Sequence, residues 1–346
     1  MELFSGMDNQ AFVARLNTIK TLNSDNCSFV NKGLYRLVTS QPALIASYVR
    51  VRNNKGTAIP RTDNGFLDDS HLRKVTTLQQ TLLDESWQPV VKKAKIPLDT
   101  TNTEERTVQD VVSTVLEAVY EPVFSDQSFG SRPNKNEHDA LKDIESKYDG
   151  LSYVVIGQLE NIYNNIDHRI LVNLLGKKIA DSRFISLIWK LLRGGYVDEK
   201  GCYISKLGLY KNSVLSPILV NIYLHELDTL MKEFQSLETV RSKTLTPVAK
   251  QYKNKVKVLT NKANKLDKGL ERDETLKQLK ATKLQRIQCR TYVDPHSRVY
   301  FHRYMNNFLV GIAGSKEYAL EINESVRAKC TANACKPKAK LLVCKH

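Results

Sequence analysis

The sequence predicts an α+β fold, and three observations carry that prediction. "LSYVVIG", Leu151 to Gly157, is a short β-branched run bounded by Gly150 and Gly157 and reads as a buried strand. "RYMNNFLVGIAGSK", Arg303 to Lys316, reads as a strand, a tight polar turn carrying Asn306 and Asn307, and a second apolar strand. Around these, apolar residues recur at helical spacing along most of the chain.

The elements follow in order. Phe12, Leu16, Ile19 and Leu22 are three or four residues apart and predict a helix, with a second apolar set from Val30 to Tyr48. Residues 51–70 are rich in turn formers and predict a loop. Val108, Val111, Val112, Val115, Leu116 and Val119 line one face of a helix over 107–123 that Pro122 ends. Asp167 precedes "HRILVNLL" and predicts an N-cap for a helix over 168–179, since a carboxylate there accepts from free N–H groups of the first turn. Leu215, Ile218, Leu219, Ile222, Tyr223, Leu224 and Leu227 have helical spacing with Pro217 in the first turn, so they are core.

A chain of 346 residues that is 41% hydrophobic can bury a full core, and at about 150 residues per domain it is long enough for two. The 52 Lys and Arg against 37 Asp and Glu give +15, the footprint of a protein that sits on phosphates, with nucleic acid as the favoured partner. In residues 231–290 sixteen Lys and Arg face six Asp and Glu, so most of the positive excess lies there. Tyr252, Val256, Leu259, Ala263, Leu266 and Leu270 alternate steps of four and three, the seam of a coiled-coil-like helix. Gly269 and "RDE" at 272–274 suit a turn, after which Leu276, Leu279 and Leu284 continue a second helix. This basic hairpin is either an RNA-contacting arm, with Lys253, Lys255, Lys257, Lys262 and Lys265 on phosphates, or a solvated spacer.

Cys27, Cys202, Cys289, Cys330, Cys335 and Cys344 are scattered without a CxxC, which fits free thiols in a reducing compartment. The tail residues Cys330, Cys335, Cys344 and His346 match no common zinc spacing, so no metal is expected, and no cofactor. No run approaches the ~20 apolar residues of a spanning helix, and the N-terminus carries neither a signal nor a transit pattern, so no membrane association is expected.

Four stretches together resemble the reverse transcriptase domain of mitochondrial-type group II intron maturases. "VLEAVYEPVFSDQSFGSRPNKNEHDAL" resembles the fingers segment, and "YVVIGQLENIYNNIDHRILVNLL" the first palm motif. "KLGLYKNSVLSPILVNIYLHELD" is similar to the second palm motif, strongly so in its latter half, and the hairpin stands where the family writes Tyr-Ala-Asp-Asp. The resemblance covers about residues 10–325. It implies a right-hand fingers and palm: a helical extension over 1–75, a fingers-like region over 76–150, and a palm-like region over 151–346 that includes the basic helical insertion 231–290.

The same resemblance implies a damaged active site. Two Mg²⁺ ions need anionic ligands to activate a primer hydroxyl and neutralise a leaving phosphate. Alignment on "NIDH" puts Gln158 at the family's metal-binding Asp and Asn164 at a nearby acidic position, while Asn306 and Asn307 replace the Asp pair. Each amide keeps a carbonyl oxygen and removes a full charge. After Gly208 the family's Pro-Gln-Gly is replaced by "LYKNS", which puts Tyr210, Lys211 and Asn212 where small backbone is needed. The fingers' Arg-Pro-Leu reads Ile96 to Leu98, "IPL".

The function implied is that of a catalytically inactive, intron-encoded maturase-related protein, mitochondrial and organelle-encoded, that at most binds group II intron RNA to assist splicing. The competing readings are a relic reading frame and an active polymerase with a metal site rebuilt from Glu160 and Asp167. Arg132, in a loop after Gly130, is a candidate either for a phosphate contact or for a surface ion pair, and Lys211 and Arg303 join the nucleic-acid candidates. His138 and His168 read as helix-start residues. The chain's end soon after "KPKAKLLV" leaves no room for the family's thumb, so help in splicing is expected to be weaker or shared with another chain.

Overall fold

A computed structural model of the chain describes residues 6–53, 68–89, 92–93, 103–149, 151–194, 196–198, 201–203, 206–210, 213–236, 247–266, 269–288, 298–332 and 337–343. It is an α+β fold. The helices α1 (Gly6–Asp25), α2 (Tyr35–Val38), α3 (Gln41–Asn53) and α4 (Asp69–Leu83) come first, followed by β1 (Lys92–Lys93) and α5 (Thr103–Tyr120). Next are β2 (Ser128–Phe129), α6 (Glu137–Lys147), β3 (Tyr153–Leu159), α7 (Ile162–Asn165), α8 (His168–Gly176) and α9 (Ser182–Leu192). Then come β4 (Tyr196–Asp198), β5 (Gly201–Tyr203), α10 (Ser216–Ser236), α11 (Pro247–Lys265) and α12 (Leu270–Gln288). The remaining elements are β6 (Arg298–Tyr304), β7 (Asn307–Ala313), α13 (Lys316–Ala332) and β8 (Pro337–Val343).

The main sheet has the order β2-β6-β7-β3-β8. Its ladders are antiparallel except for β2 on β6. One face of the sheet packs on α10 and α13 through Val155, Phe301, Phe308, Val310 and Ile312, all buried against Leu224, Leu227, Ile322 and Val326. The expected strand starts two residues later and runs through Gly157 to Leu159, because β7 and β8 pair along both its edges. Gly157 is therefore a mid-strand position rather than a boundary. A Cβ there would lie 1.9 Å from the Phe308 ring, so only glycine lets that ring cross the strand.

The helix predictions hold where one face is apolar. Val108, Val111, Val112, Val115, Leu116 and Val119 of α5 are all buried. Asp167 caps α8, its carboxylate accepting from Arg169 N (2.7 Å) and Ile170 N (3.3 Å). That helix stops at Gly176, short of the expected end. Ile179 instead forms a bridge with Asn31, whose side-chain amide exchanges hydrogen bonds with that of Asn23. Leu22 is exposed, off the seam of Phe12, Leu16 and Ile19. The loop expected over 51–70 is shorter, since α3 continues to Asn53 and Asp68 caps α4; residues 54–67 lie outside the described residues.

The basic insertion forms the predicted helical hairpin, but its second helix faces differently. Thr275 and Leu279 are buried against Ala263, with Arg272, Thr282 and Arg286 half-buried at the same three-four spacing. Leu276 and Leu284 stand off that seam, 37% and 62% exposed. The turn lies at Gly269, whose carbonyl accepts from Arg272 N and Asp273 N. "RDE" lies at the start of α12, where Glu271 and Asp273 in the first turn oppose the positive helix end.

Two arginines among the nucleic-acid candidates, Arg303 and Arg132, the latter with a surface ion pair as its alternative, are instead interior. Arg303 has a fully buried guanidinium facing an equally buried Asp228, at 2.7 Å for both Nε to Oδ1 and Nη2 to Oδ2. Its other donors reach Ser128 Oγ, Asn221 Oδ1 and the Met305 carbonyl, so all five guanidinium N–H groups are used. Arg132 donates to both Glu121 oxygens and to the carbonyls of Ser125 and Ser128, and lies over the Phe124 ring. A long cation with carboxylate and carbonyls in reach buries; neither side chain is available to a ligand.

Removing one member of a buried pair leaves the other charge uncompensated, at a cost of about 3–5 kcal/mol. Asp228→Ala should lower the unfolding free energy from urea titration by an amount of that order, while Lys253→Ala on the exposed face of α11 should change it by under about 0.5 kcal/mol. A small Asp228→Ala effect would refute the role given to this pair.

His302, buried in β6, contacts Asp143 Oδ2 through Nε2 (2.7 Å) and Tyr148 Oη through Nδ1 (3.2 Å), and stacks on Phe129. Burial pushes its pKa below 6.5, with Asp143 opposing, and burial does the same at His225. The unfolded chain thus takes up these protons first, so this stability is complete above about pH 6.5 and lost as pH falls through the depressed values. The melting temperature should drop between pH 7 and 5, and His302→Gln should flatten that dependence.

Candidate functional site

The region where the resemblance puts polymerase chemistry is built from the end of β3, the β6–β7 hairpin and β8. Gln158 of β3 is the direct ladder partner of Asn307 on one side and of Lys338 on the other, and Asn307 is opposite Tyr304. Directly opposed residues share a sheet face, so Lys338, Gln158, Asn307 and Tyr304 form one row across four strands. All four are exposed.

The hairpin turn is Met305 and Asn306; Asn307 is already the first residue of β7. Met305 adopts φ +54, a left-handed conformation that favours glycine. Met305 is held there by its N–H on the Phe129 carbonyl and by its side chain against Gly130. Asn306 turns inward and ties the tip to β3. Its Nδ2 donates to the Leu159 carbonyl (3.0 Å), and its own carbonyl accepts from Leu159 N (2.9 Å). An ionised aspartate could not donate that first bond.

These donors do not fit a pair of Mg²⁺ ions. Of the three amides, one is committed to a backbone carbonyl, and the row's charged member is an ammonium. Glu160 is ion-paired with Lys338, and Asp167 serves as the α8 cap. Among the described residues no group of three or more His, Cys, Asp and Glu is arranged to hold a metal. Cys335, Cys344 and His346 lie outside the described residues.

Around the second palm motif, Gly208 has φ +90, and a Cβ there would sit 3.1 Å from the Asn164 and Tyr163 carbonyls. Its N–H donates to the Ile166 carbonyl, and the buried His168 ring contacts its carbonyl at 2.7 Å. His168 is thus more than a helix-start residue: it fastens this loop, a role that only tertiary contact reveals. Ser213 Oγ donates to Gln109, whose amide donates to the buried Glu105, and Ser216 Oγ donates to the Tyr210 carbonyl. The cavity these residues line with Leu209 and Leu215 measures 20 Å³, about the room for one water. Lys211, Asn212, Ile96 and Leu98 lie outside the described residues.

The remaining candidates are on the arm. Lys253, Lys255, Lys257, Lys262 and Lys265 are exposed on α11, a helix without a single acidic residue. The acids of α12, Glu271, Asp273 and Glu274, are confined to its first five residues. Around the hairpin's base, Lys253 to Lys257 therefore run antiparallel to Lys280, Lys283 and Arg286 with no acid between them. His138 is exposed in the first turn of α6, whose capping box is Asn136 and Asp139.

The sequence has relatives. The chain is 30% identical over 332 residues to the group II intron-encoded protein LtrA of Lactococcus lactis subsp. cremoris, an alignment covering 91% of this chain and 54% of LtrA. It is 26% identical over 313 residues to a 91 kDa protein in a cob intron of Schizosaccharomyces pombe, covering 88% of this chain and 38% of that one. It is also 26% identical over 308 residues to the putative COX1/OXI3 intron 1 protein of Saccharomyces cerevisiae, covering 85% and 35%. No protein-family model matches. These relatives, at 26–30% identity over about nine-tenths of this chain, are intron-encoded proteins, LtrA among them a group II intron-encoded protein, and the chain spans about half the length of LtrA and less of the two yeast proteins.

Restoring the carboxylates should burden the fold. Asn306→Asp removes the bond to the Leu159 carbonyl and should cost about 1–3 kcal/mol. Adding Gln158→Asp and Asn307→Asp should lower the melting temperature further in metal-free buffer, with partial recovery in excess Mg²⁺, because like charges then crowd one row. A triple variant as stable as the parent without metal would refute this account.

Proposed function

We propose that this chain is a catalytically inactive, reverse-transcriptase-like, maturase-related protein that binds group II intron RNA and assists its splicing, in mitochondria and encoded there. On this reading the main sheet with α10 is the palm of a right-hand fingers-and-palm fold, and α11 and α12 are a basic arm inserted between palm motifs. The observation that carries it is Asn306: at a position where catalysis needs an anionic metal ligand, this side chain is a hydrogen-bond donor to Leu159. The group II intron-encoded relative supports the RNA partner, and the relatives named as mitochondrial support the compartment. The acid-free α11 supplies the phosphate-binding charge.

Primer extension by the purified chain should not exceed that of its Asn307→Ala variant. Filter binding to a structured intron RNA should weaken steeply with salt, since each neutralised phosphate releases counterions. The Lys253→Glu, Lys255→Glu, Lys257→Glu variant should lose affinity and reduce the salt slope by about 2–3. Robust extension would overturn the loss of catalysis, and salt-independent or absent binding would overturn the RNA role.

A further inference from the structure

Three residues in left-handed backbone meet at the tip of the β6–β7 hairpin. Gly130 has φ +87, Ser131 φ +51 and Met305 φ +54. For the two that carry side chains, such a conformation persists only while surrounding contacts hold it. Two of the contacts on Met305 are made by its backbone: its N–H donates to the Phe129 carbonyl (3.1 Å), and its carbonyl accepts from Arg303 Nη1 (3.0 Å). The others run through the thioether. The hydroxyl of Ser131, an exposed residue, donates to Met305 Sδ at 3.1 Å. A Cβ on Gly130 would lie 2.8 Å from Met305 Cγ and 3.2 Å from Sδ, so the side chain rests directly on the Gly130 backbone. Met305 is half-buried, whereas Met231 on α10 is fully buried.

We propose that Met305 is a reversible oxidation site, and that its sulfoxide releases the hairpin tip from the Gly130 loop. The oxidant is a peroxide. One sulfur lone pair takes the Ser131 O–H, and the other attacks the peroxide O–O bond. The S–O bond forms as the O–O bond breaks, and the leaving hydroxide takes the proton from the new S–OH group to give water. Sulfur loses two electrons and the peroxide gains them. A thioether packs as an apolar group and accepts weakly, while a sulfoxide is larger, polar and a strong acceptor. The Gly130 side of the sulfur has no room for an added oxygen. The oxygen therefore faces water and draws the side chain off the glycine, and the Ser131 hydroxyl leaves sulfur to follow it. Two left-handed side-chain residues are then held by backbone contacts alone. Asn306, the next residue, is bonded to Leu159 in both directions, so loosening at Met305 reaches the end of β3. Arg303 keeps its pair with Asp228 beneath, which confines the release to the tip.

Hydrogen peroxide on the folded full chain tests this, with peptide mapping by mass spectrometry and hydrogen exchange of the backbone amides. Met305 should become sulfoxide about tenfold or more faster than Met231, which serves as the buried control. In the oxidised protein the amides of Met305 and Leu159 should exchange about tenfold or more faster, while those of Val155 and Val310 in the middle of the sheet stay as they were. Methionine sulfoxide reductase should restore the original exchange. Met305→Leu keeps an apolar side chain without sulfur, and peroxide should leave its tip amides unchanged. Ser131→Ala frees a sulfur lone pair and should speed oxidation of Met305. The comparison of oxidised with reduced parent chain stands even if Met305→Leu does not fold. Oxidation of Met305 no faster than that of Met231, or a Met305 sulfoxide with unaltered exchange at Met305 and Leu159, would overturn the proposal. So would faster exchange that the reductase fails to reverse.

Discussion

The arrangement depends on one buried guanidinium. Arg303 carries a full charge with no solvent contact, and such a charge is tolerable only with a partnered carboxylate and every remaining donor satisfied. Meeting that condition fixes four parts at once: Asp228 and Asn221 on α10, Ser128 in β2, and the Met305 carbonyl in the hairpin turn. The turn is thereby held against the Gly130 loop even though Met305 occupies a backbone region that disfavours its side chain. From that fixed tip Asn306 reaches Leu159, and the Gln158–Asn307 pairing follows in register. The geometry of the candidate site is thus set from below, by packing and a buried ion pair.

Much of this was legible in the sequence because it depends on local periodicity. The apolar faces of α5 and α10, the β3 strand, the hairpin and the Asp167 cap are each specified within a window of a few residues. What was not legible required partners far away in the chain. Arg132 and Arg303 read as surface cations because composition counts charge without asking which carboxylate the fold brings near; for Arg303 that residue is 75 positions earlier. Gly157 looked like a strand boundary because the Phe308 ring that demands it comes from another strand. Leu276 and Leu284 looked like seam residues because leucine is apolar, whereas the helix pairing chose Thr275 and Leu279. The β8 strand was passed over although Lys338 and Lys340 alternate with Ala339, a period-two signal too short to stand out in a basic tail.

The candidate site splits along the same line. Which residues stand at the family's metal positions is a matter of motif alignment, and the sequence was enough to name Gln158, Asn306 and Asn307. That Lys338 joins their row, that Glu160 is occupied by it, and that His168 fastens the Gly208 loop are all consequences of pairing. The loop after Gly208 is closed by Glu105, Gln109 and Ser213, a buried polar chain between α5 and the start of α10. Each member has a partner, so the chain costs little to bury and stiffens the place that the resemblance assigns to template and nucleotide.

Chemistry and fold are separable in such a sheet for an energetic reason. Carboxylates clustered for a pair of dications repel one another when the metal is absent, so they burden the empty fold and their loss relieves it. Amides in the same positions carry no net charge, and one of them here contributes a hydrogen bond between two strands. The apolar face below them, with Val155, Phe308 and Val310 fully or almost fully buried, does not sense the change. On the proposed reading, then, the substitutions that end catalysis are also ones the fold can accept without compensation elsewhere. The reverse does not hold: Arg303 and Asp228 take no part in metal binding, yet exchanging either one alone leaves an unpaired buried charge beneath the same hairpin. Energetic constraint on this chain therefore falls on the floor of the site more than on its surface.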